Sequence, residues 1–178
     1  TVINGTSGSN TNSWVLGEVK FYSRNDDIKN GVLYRYAAGT GIYKCPSDNS
    51  LSISDKLPRN RSYSLDQLLT LYQPFVLPDA LRKSSQVLQP AAVFTFIDEN
   101  ANCIEDGNFG LLHSPTMTCL NLPSDRHSKG CVIAFLDGHV KRYAWLWSKF
   151  FTSYSQLAVN TKDLQDLQTL QMALPNPP

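Results

Sequence analysis

No stretch of this sequence approaches the run of about 18 apolar residues that a membrane-spanning helix needs, and the opening TVINGTSGSNTNS is too polar for a signal peptide. As it stands the chain reads as soluble. Charge is also scarce: charged residues make up 17% of the chain, with Lys+Arg 16 against Asp+Glu 15 and a net charge of +1. That balance leaves no basic field to attract nucleic acid and no acidic run to act as a solvating tail. The place of charge is taken by Ser, Thr, Asn and Gln, a composition that leans towards a compartment outside the cytoplasm. The four cysteines contain no CxxC pair and no zinc-finger spacing, and no internal repeat of solenoid period is present.

What the sequence does have is enough length, 178 residues, for one domain with a substantial core. The expected organisation is a single globular domain over 1–178, with a flexible segment at 1–13 and a carboxy-terminal helix at 160–175.

The strongest local signal is RHSKGCVIAFLDGHVKRYAWLW, Arg126 to Trp147. The apolar run Cys131 to Leu136 meets Asp137-Gly138, and a second strand-like run begins at His139. Asp-Gly suits a two-residue type I′ turn with φ > 0 at both central positions. In that register Phe135 faces Val140, Ile133 faces Arg142 and Cys131 faces Ala144. The core face would carry Cys131, Ile133, Phe135, Val140 and Ala144, and the outer face Ala134, Leu136, His139, Lys141 and Tyr143.

Elsewhere, Asn25-Asp26-Asp27 can start a short helix through Ile28, Val32 and Tyr36, interrupted near Gly31. Asn49 to Asn60 reads as an exposed loop, Arg61 to Leu71 as an extended piece turning irregular, and Ala91 to Ile97 as a strand ending at Asp98-Glu99-Asn100. Pro74, Pro78 and Pro90 exclude a long regular element between them. Leu111 to Asp125 reads as a loop. Asn160 or Thr161 can cap a final helix on which Leu164, Leu167, Leu170 and Leu174 recur, with Asp163 in the first turn and Pro175 as its stop.

Several of these pieces together resemble one family, the bacterial pseudopilin-like proteins with a prepilin-type amino terminus and a carboxy-terminal H-X9-DG motif. His127, nine residues and Asp137-Gly138 complete that motif. Gly31-Val32-Leu33-Tyr34 followed by Tyr43-Lys44-Cys45-Pro46-Ser47-Asp48 is similar to the family's "LY.Y…YKCPSD" stretch, Arg61-Ser62-Tyr63-Ser64 to its SY segment, and Phe94 to Glu99 to a strand ending in acids. The resemblance implies an α+β fold, an antiparallel sheet packed with short helices and joined by long loops, and a non-enzymatic structural subunit, the head of a protein anchored in the inner membrane by an amino-terminal helix and facing the periplasm. It implies assembly with other pilin-like subunits into a pseudopilus or pilus-like fibre of a secretion system. The family's cleavage motif and long apolar helix have no counterpart in the sequence, so the chain is expected to be the head that follows them, with apolar surface left exposed. A partner for Cys45 near that helix is also implied, leaving Cys45 unpaired.

The chemistry-bearing residues are expected to be structural. His127, Cys131 and His139 could suggest zinc, but four residues of strand separate His127 from Cys131 by about 13 Å. His127 is expected to bond a neighbouring loop and pin the strand entry, and Asp137 to serve the turn. Cys103 and Cys119 flank a loop and form the candidate disulfide, while Cys131 reads as a small buried hydrophobe. No cofactor is expected; the one candidate ion is calcium, through Asp98, Glu99, Glu105 and Asp106, as in some major pseudopilins that hold it in a carboxylate-lined loop. The alternative function is an extracytoplasmic binding module, with carbohydrate as its candidate ligand, using Trp14, Tyr143, Trp145 and Trp147.

Overall fold

The computed structural model describes residues 13–37, 39–69 and 83–175. The fold is α+β, built on a five-stranded sheet in the order β3-β1-β2-β5-β6, with a separate two-stranded β4-β7 ribbon. The strands are β1 (Tyr63–Asp66), β2 (Phe94–Asp98), β3 (Asn108–Phe109), β4 (Thr118–Cys119), β5 (Gly130–Phe135), β6 (Val140–Ala144) and β7 (Gln156–Leu157). Two α-helices, α1 (Asn25–Lys29) and α2 (Thr161–Gln171), accompany short 3₁₀ turns. The sheet is mixed and not purely antiparallel as expected, because β3 pairs with β1 in parallel.

One sheet face packs on α2. Asn160 caps this helix by accepting from the amides of Lys162 and Asp163, each at 3.0 Å, which satisfies donors that the first turn leaves free. Leu167, Leu170 and Leu174 then bury against Phe94, Ile97, Cys131, Ile133 and Phe135. Each such side chain taken from water contributes roughly 1.5–3 kcal/mol. Asp163, expected as a favourable charge in the first turn, is buried as well: Lys149 Nζ lies 2.7 Å from both Asp163 and Asp166. This buried ion triple ties the helix to the chain that follows β6.

The opposite face holds a second cluster of Trp14, Val15, Ile28, Tyr43 and Leu65, with Phe96 packed against it. The Trp14 indole donates to Gly107 O at 2.9 Å and its ring stacks on Tyr43. A bulge in β2 lets one strand serve both faces. Phe94 pairs with Phe135 and Phe96 with Ala134, so Thr95 is an extra residue, and Phe96 turns away from the face that Phe94 occupies. Asp98, two residues on, therefore points to the Trp14 face.

The hairpin between β5 and β6 differs from the sequence expectation by one residue. The pairs are Cys131 with Tyr143, Ile133 with Lys141 and Ala134 with Val140. Phe135 N donates to His139 O and Gly138 N to Phe135 O, so the loop is Leu136-Asp137-Gly138, a three-residue connection with Gly138 alone at positive φ, +93°. This slip moves all of β6 to the other face. Cys131, Ile133 and Phe135 are core as predicted, but Val140 and Ala144 are exposed, and Tyr143 and His139 stack on Phe135 instead.

The interrupted early helix is present as α1, followed after Gly31 by the 3₁₀ turn Tyr34–Tyr36. The 111–125 segment, expected as loop, contributes β4, which pairs with β7. The expected flexible stretch 1–13 lies outside the described residues except for Ser13, which is fully buried; Pro74 and Pro78 also lie outside them.

Candidate functional site

Three segments remote in sequence meet at the end of β2 on the Trp14 face. The first is Cys45-Pro46-Ser47-Asp48, a β-turn closed by Asp48 N donating to Cys45 O at 2.9 Å, with Pro46 where its fixed φ suits the turn. Ser62, at the entry to β1, locks this turn in place. Its hydroxyl donates to Asp48 Oδ2 at 2.6 Å and accepts from Cys45 N at 3.2 Å. The CPSD and SY stretches are thereby one hydrogen-bonded unit.

The second segment is Asp98, fully buried. The third is Arg126-His127. Here the chain bends sharply, with Ser128 and Lys129 both at positive φ and His127 N donating to Gly130 O at 3.1 Å. Gly130 is required: a Cβ there would lie 2.1 Å from Tyr143 O. Arg142 on β6 braces the bend from outside, its guanidinium donating to His127 O at 2.5 Å and Ser128 O at 2.9 Å.

The bend does not bring His127 to Cys131 or His139. Cys131 faces the α2 core, and His139 sits at the far end of the hairpin with Nδ1 at 2.7 Å from Asp137. His127 instead reaches Cys45 and Asp98. Its Nε2 lies 3.3 Å from Cys45 Sγ and 3.3 Å from Asp98 Oδ2. Among the described residues this is the single group of three His, Cys, Asp or Glu side chains whose donor atoms lie within 4.8 Å of one another.

Arg126 completes the cluster. It pairs with Asp98 Oδ1, donates to Glu99 O at 2.9 Å, and approaches Asp48 Oδ1 at 3.5 Å. Burial pushes the Asp48 carboxyl up, but hydrogen bonds from Ser62 and Ser50, with the Arg126 charge, overcome it and hold the group below its ordinary value. Burial likewise works against the Arg126 guanidinium, and the Asp98 hydrogen bond and charge outweigh it, leaving its pKa raised. At the rim, burial and the neighbouring Cys45 and Asp98 push the Tyr63 phenol up to about 12.

The candidate calcium ligands have separate partners. Asp98 engages Arg126, Glu99 turns to the opposite side to meet Asn121 at 2.8 Å and Cys103, Glu105 pairs with Lys20 at 3.2 Å, and Asp106 accepts from Asn108 N at 2.8 Å. They do not form the expected loop site. Cys103 and Cys119 are not joined either: all four cysteines are free and buried. The Cys103 thiol is instead enclosed by Glu99 and the backbone of Leu122. Of the aromatics considered for a sugar platform, Trp14 and Trp145 are interior, the latter donating to Ser124 O at 2.8 Å.

Beside the cluster the sheet carries an open apolar groove of about 480 Å³, lined by Trp14, Tyr36, Ile42, Phe96, Ala134 and Val140 among others. Tyr36, Ile42 and Val140 are 74%, 63% and 62% exposed, an unusual concentration of apolar surface. Sequence reasoning singled out Cys45, Asp48, Asp98 and His127 separately. It missed Arg126 and Ser62 as their connectors, although Arg126 adjoins His127 and Ser62 belongs to the SY segment. Compared with protein-family models, curated proteins and solved structures, the chain matches none.

Proposed function

We propose that this chain is the periplasmic head of a pseudopilin-like structural subunit, anchored to the inner membrane through an amino-terminal helix and assembling with other pilin-like subunits into a secretion-system fibre. The observation that carries the reading is the convergence of its motif residues. Cys45, Asp48, Ser62, Asp98 and His127 come from four separate stretches of the resemblance, and all meet in one hydrogen-bonded cluster. That is the behaviour of a fold signature. The exposed groove supports the same reading, because a head carried on an apolar helix leaves uncovered surface when considered without it. The carbohydrate-binding alternative has less to rest on, since two of its aromatics are buried.

The reading frame upstream of Thr1 tests the proposal. A short basic leader, a Gly before Phe-Thr-Leu-Ile-Glu and about twenty apolar residues are expected; a conventional cleaved signal peptide would refute it. In the full-length protein, Val140→Glu places a charge in the groove at an exposed position. It should abolish cross-linking between subunits while leaving the melting temperature of the head unchanged.

A further inference from the structure

We infer that Cys45, Asp98 and His127 form a binding site for one zinc-class divalent cation. The argument is geometric and separate from the assembly reading. Two chemistries use a cysteine, a histidine and a carboxylate: a nucleophile triad and a metal site. A triad places the thiol and the carboxylate on opposite ring nitrogens, so that the carboxylate orients the base. Here both lie 3.3 Å from the same atom, His127 Nε2, and one nitrogen cannot serve both roles at once.

The same arrangement suits a shared ion. Zn–S of about 2.3 Å and Zn–N or Zn–O of about 2.0–2.1 Å at tetrahedral angles set donor atoms apart by roughly 3.5 Å for S···N and roughly 3.4 Å for N···O. The observed separations of 3.3 Å match both edges, and all three donors lie within 4.8 Å of one another. Three protein donors are the number that zinc sites with a water as fourth ligand supply. Thiolate and imidazole favour a borderline-soft ion such as Zn²⁺ over calcium, which takes oxygen ligands.

Charge and access agree. With Cys45 bound as thiolate and Asp98 and Asp48 ionised, three negative groups face Arg126, and Arg59, which donates to Ala101 O, adds its charge beside Asp48. One negative charge is left for a divalent ion to meet. Cys45 binds the ion as its thiolate, and the thiol proton passes to solvent. His127 is 27% exposed and opens the site to solvent, whereas Cys45 and Asp98 are buried. Arg126 grips both Asp98 oxygens, with Nε reaching Oδ2 at 3.4 Å, and so orients Oδ2 towards His127, as outer partners of metal ligands do.

The test is titration of the reduced chain with Co²⁺ alone, followed by Zn²⁺ as competitor. One equivalent should bind with a near-ultraviolet thiolate-to-cobalt band and the strong visible bands of tetrahedral cobalt, and Zn²⁺ should displace it. Cys45→Ser should remove the thiolate band and Cys131→Ala should keep it. His127→Ala, at a partly exposed position, should weaken binding at least about a hundredfold without changing the metal-free circular dichroism. Absence of uptake, weak octahedral bands, or a thiolate band that survives in Cys45→Ser or vanishes in Cys131→Ala would overturn the site. Rapid alkylation of Cys45 without metal uptake would overturn it too, in favour of a thiol–imidazole pair.

Discussion

Arg126→Met removes a guanidinium that faces two buried carboxylates, Asp98 at 0% and Asp48 at 3% side-chain exposure. Deleting one partner of a buried charge pair costs about 3–5 kcal/mol, mostly because the remaining charge is left without compensation. Arg126 is itself 15% exposed, so water can partly replace it and the lower end, about 3 kcal/mol, is expected. In a chain of this length each kcal/mol moves the melting temperature by about 2–4 °C, giving a fall of about 6–12 °C. Urea unfolding in the presence of a chelator measures this without interference from a bound ion, and the slope with denaturant should stay constant. Arg126→Lys should recover little, since one ammonium cannot reach Asp98, Asp48 and Glu99 O together. Asp98→Asn added to Arg126→Met should restore part of the loss, because the stranded charge is gone. A fall under about 1 kcal/mol, the range of exposed pairs, or strict additivity of the two substitutions would refute the claim that Asp98 depends on Arg126.

Two further outcomes are expected. Burial pushes the Asp66 carboxyl up to about 8; the folded chain keeps a proton that the unfolded chain loses near pH 4, so this stability is full below pH 4 and is lost as pH rises towards about 8. Asp66→Asn should flatten the fall in melting temperature across that window, by about 1.4 kcal/mol of slope per pH unit, and parallel wild-type and variant profiles would contradict it. Gly138→Val should destabilise the hairpin by more than about 1 kcal/mol through its φ of +93°, whereas Asp137→Asn should leave thermal unfolding almost unchanged because Asn can still accept from His139 N.

The hairpin shows how far sequence reached. Its position, its glycine and the core face of β5 were legible, since β-branched alternation and a turn glycine act locally. The register was not, because a two-residue loop and a three-residue loop with a following bulge both accept Asp-Gly, and the difference reverses β6. The final helix was legible from its leucines and Asn160, but the burial of Asp163 depends on Lys149, fourteen residues away and invisible to periodicity. At the site, each motif stretch was visible by itself. Their meeting rests on the Thr95 bulge and the Ser128–Lys129 bend, neither of which has a local signature. β3, β4 and β7, of two residues each, are too short for any period to register.

The strand order also bears on how copies of this chain can meet. One border of the main sheet is β6, whose outward residues include Lys141 and Arg142, and the other is β3, two residues long. Cationic and very short border strands resist pairing with a neighbouring chain. In the fibre proposed above, neighbouring copies would therefore be kept from zipping together backbone to backbone. Growth would have to proceed through side-chain surfaces such as the groove, where contacts can form and part without recruiting the sheet into an irreversible aggregate.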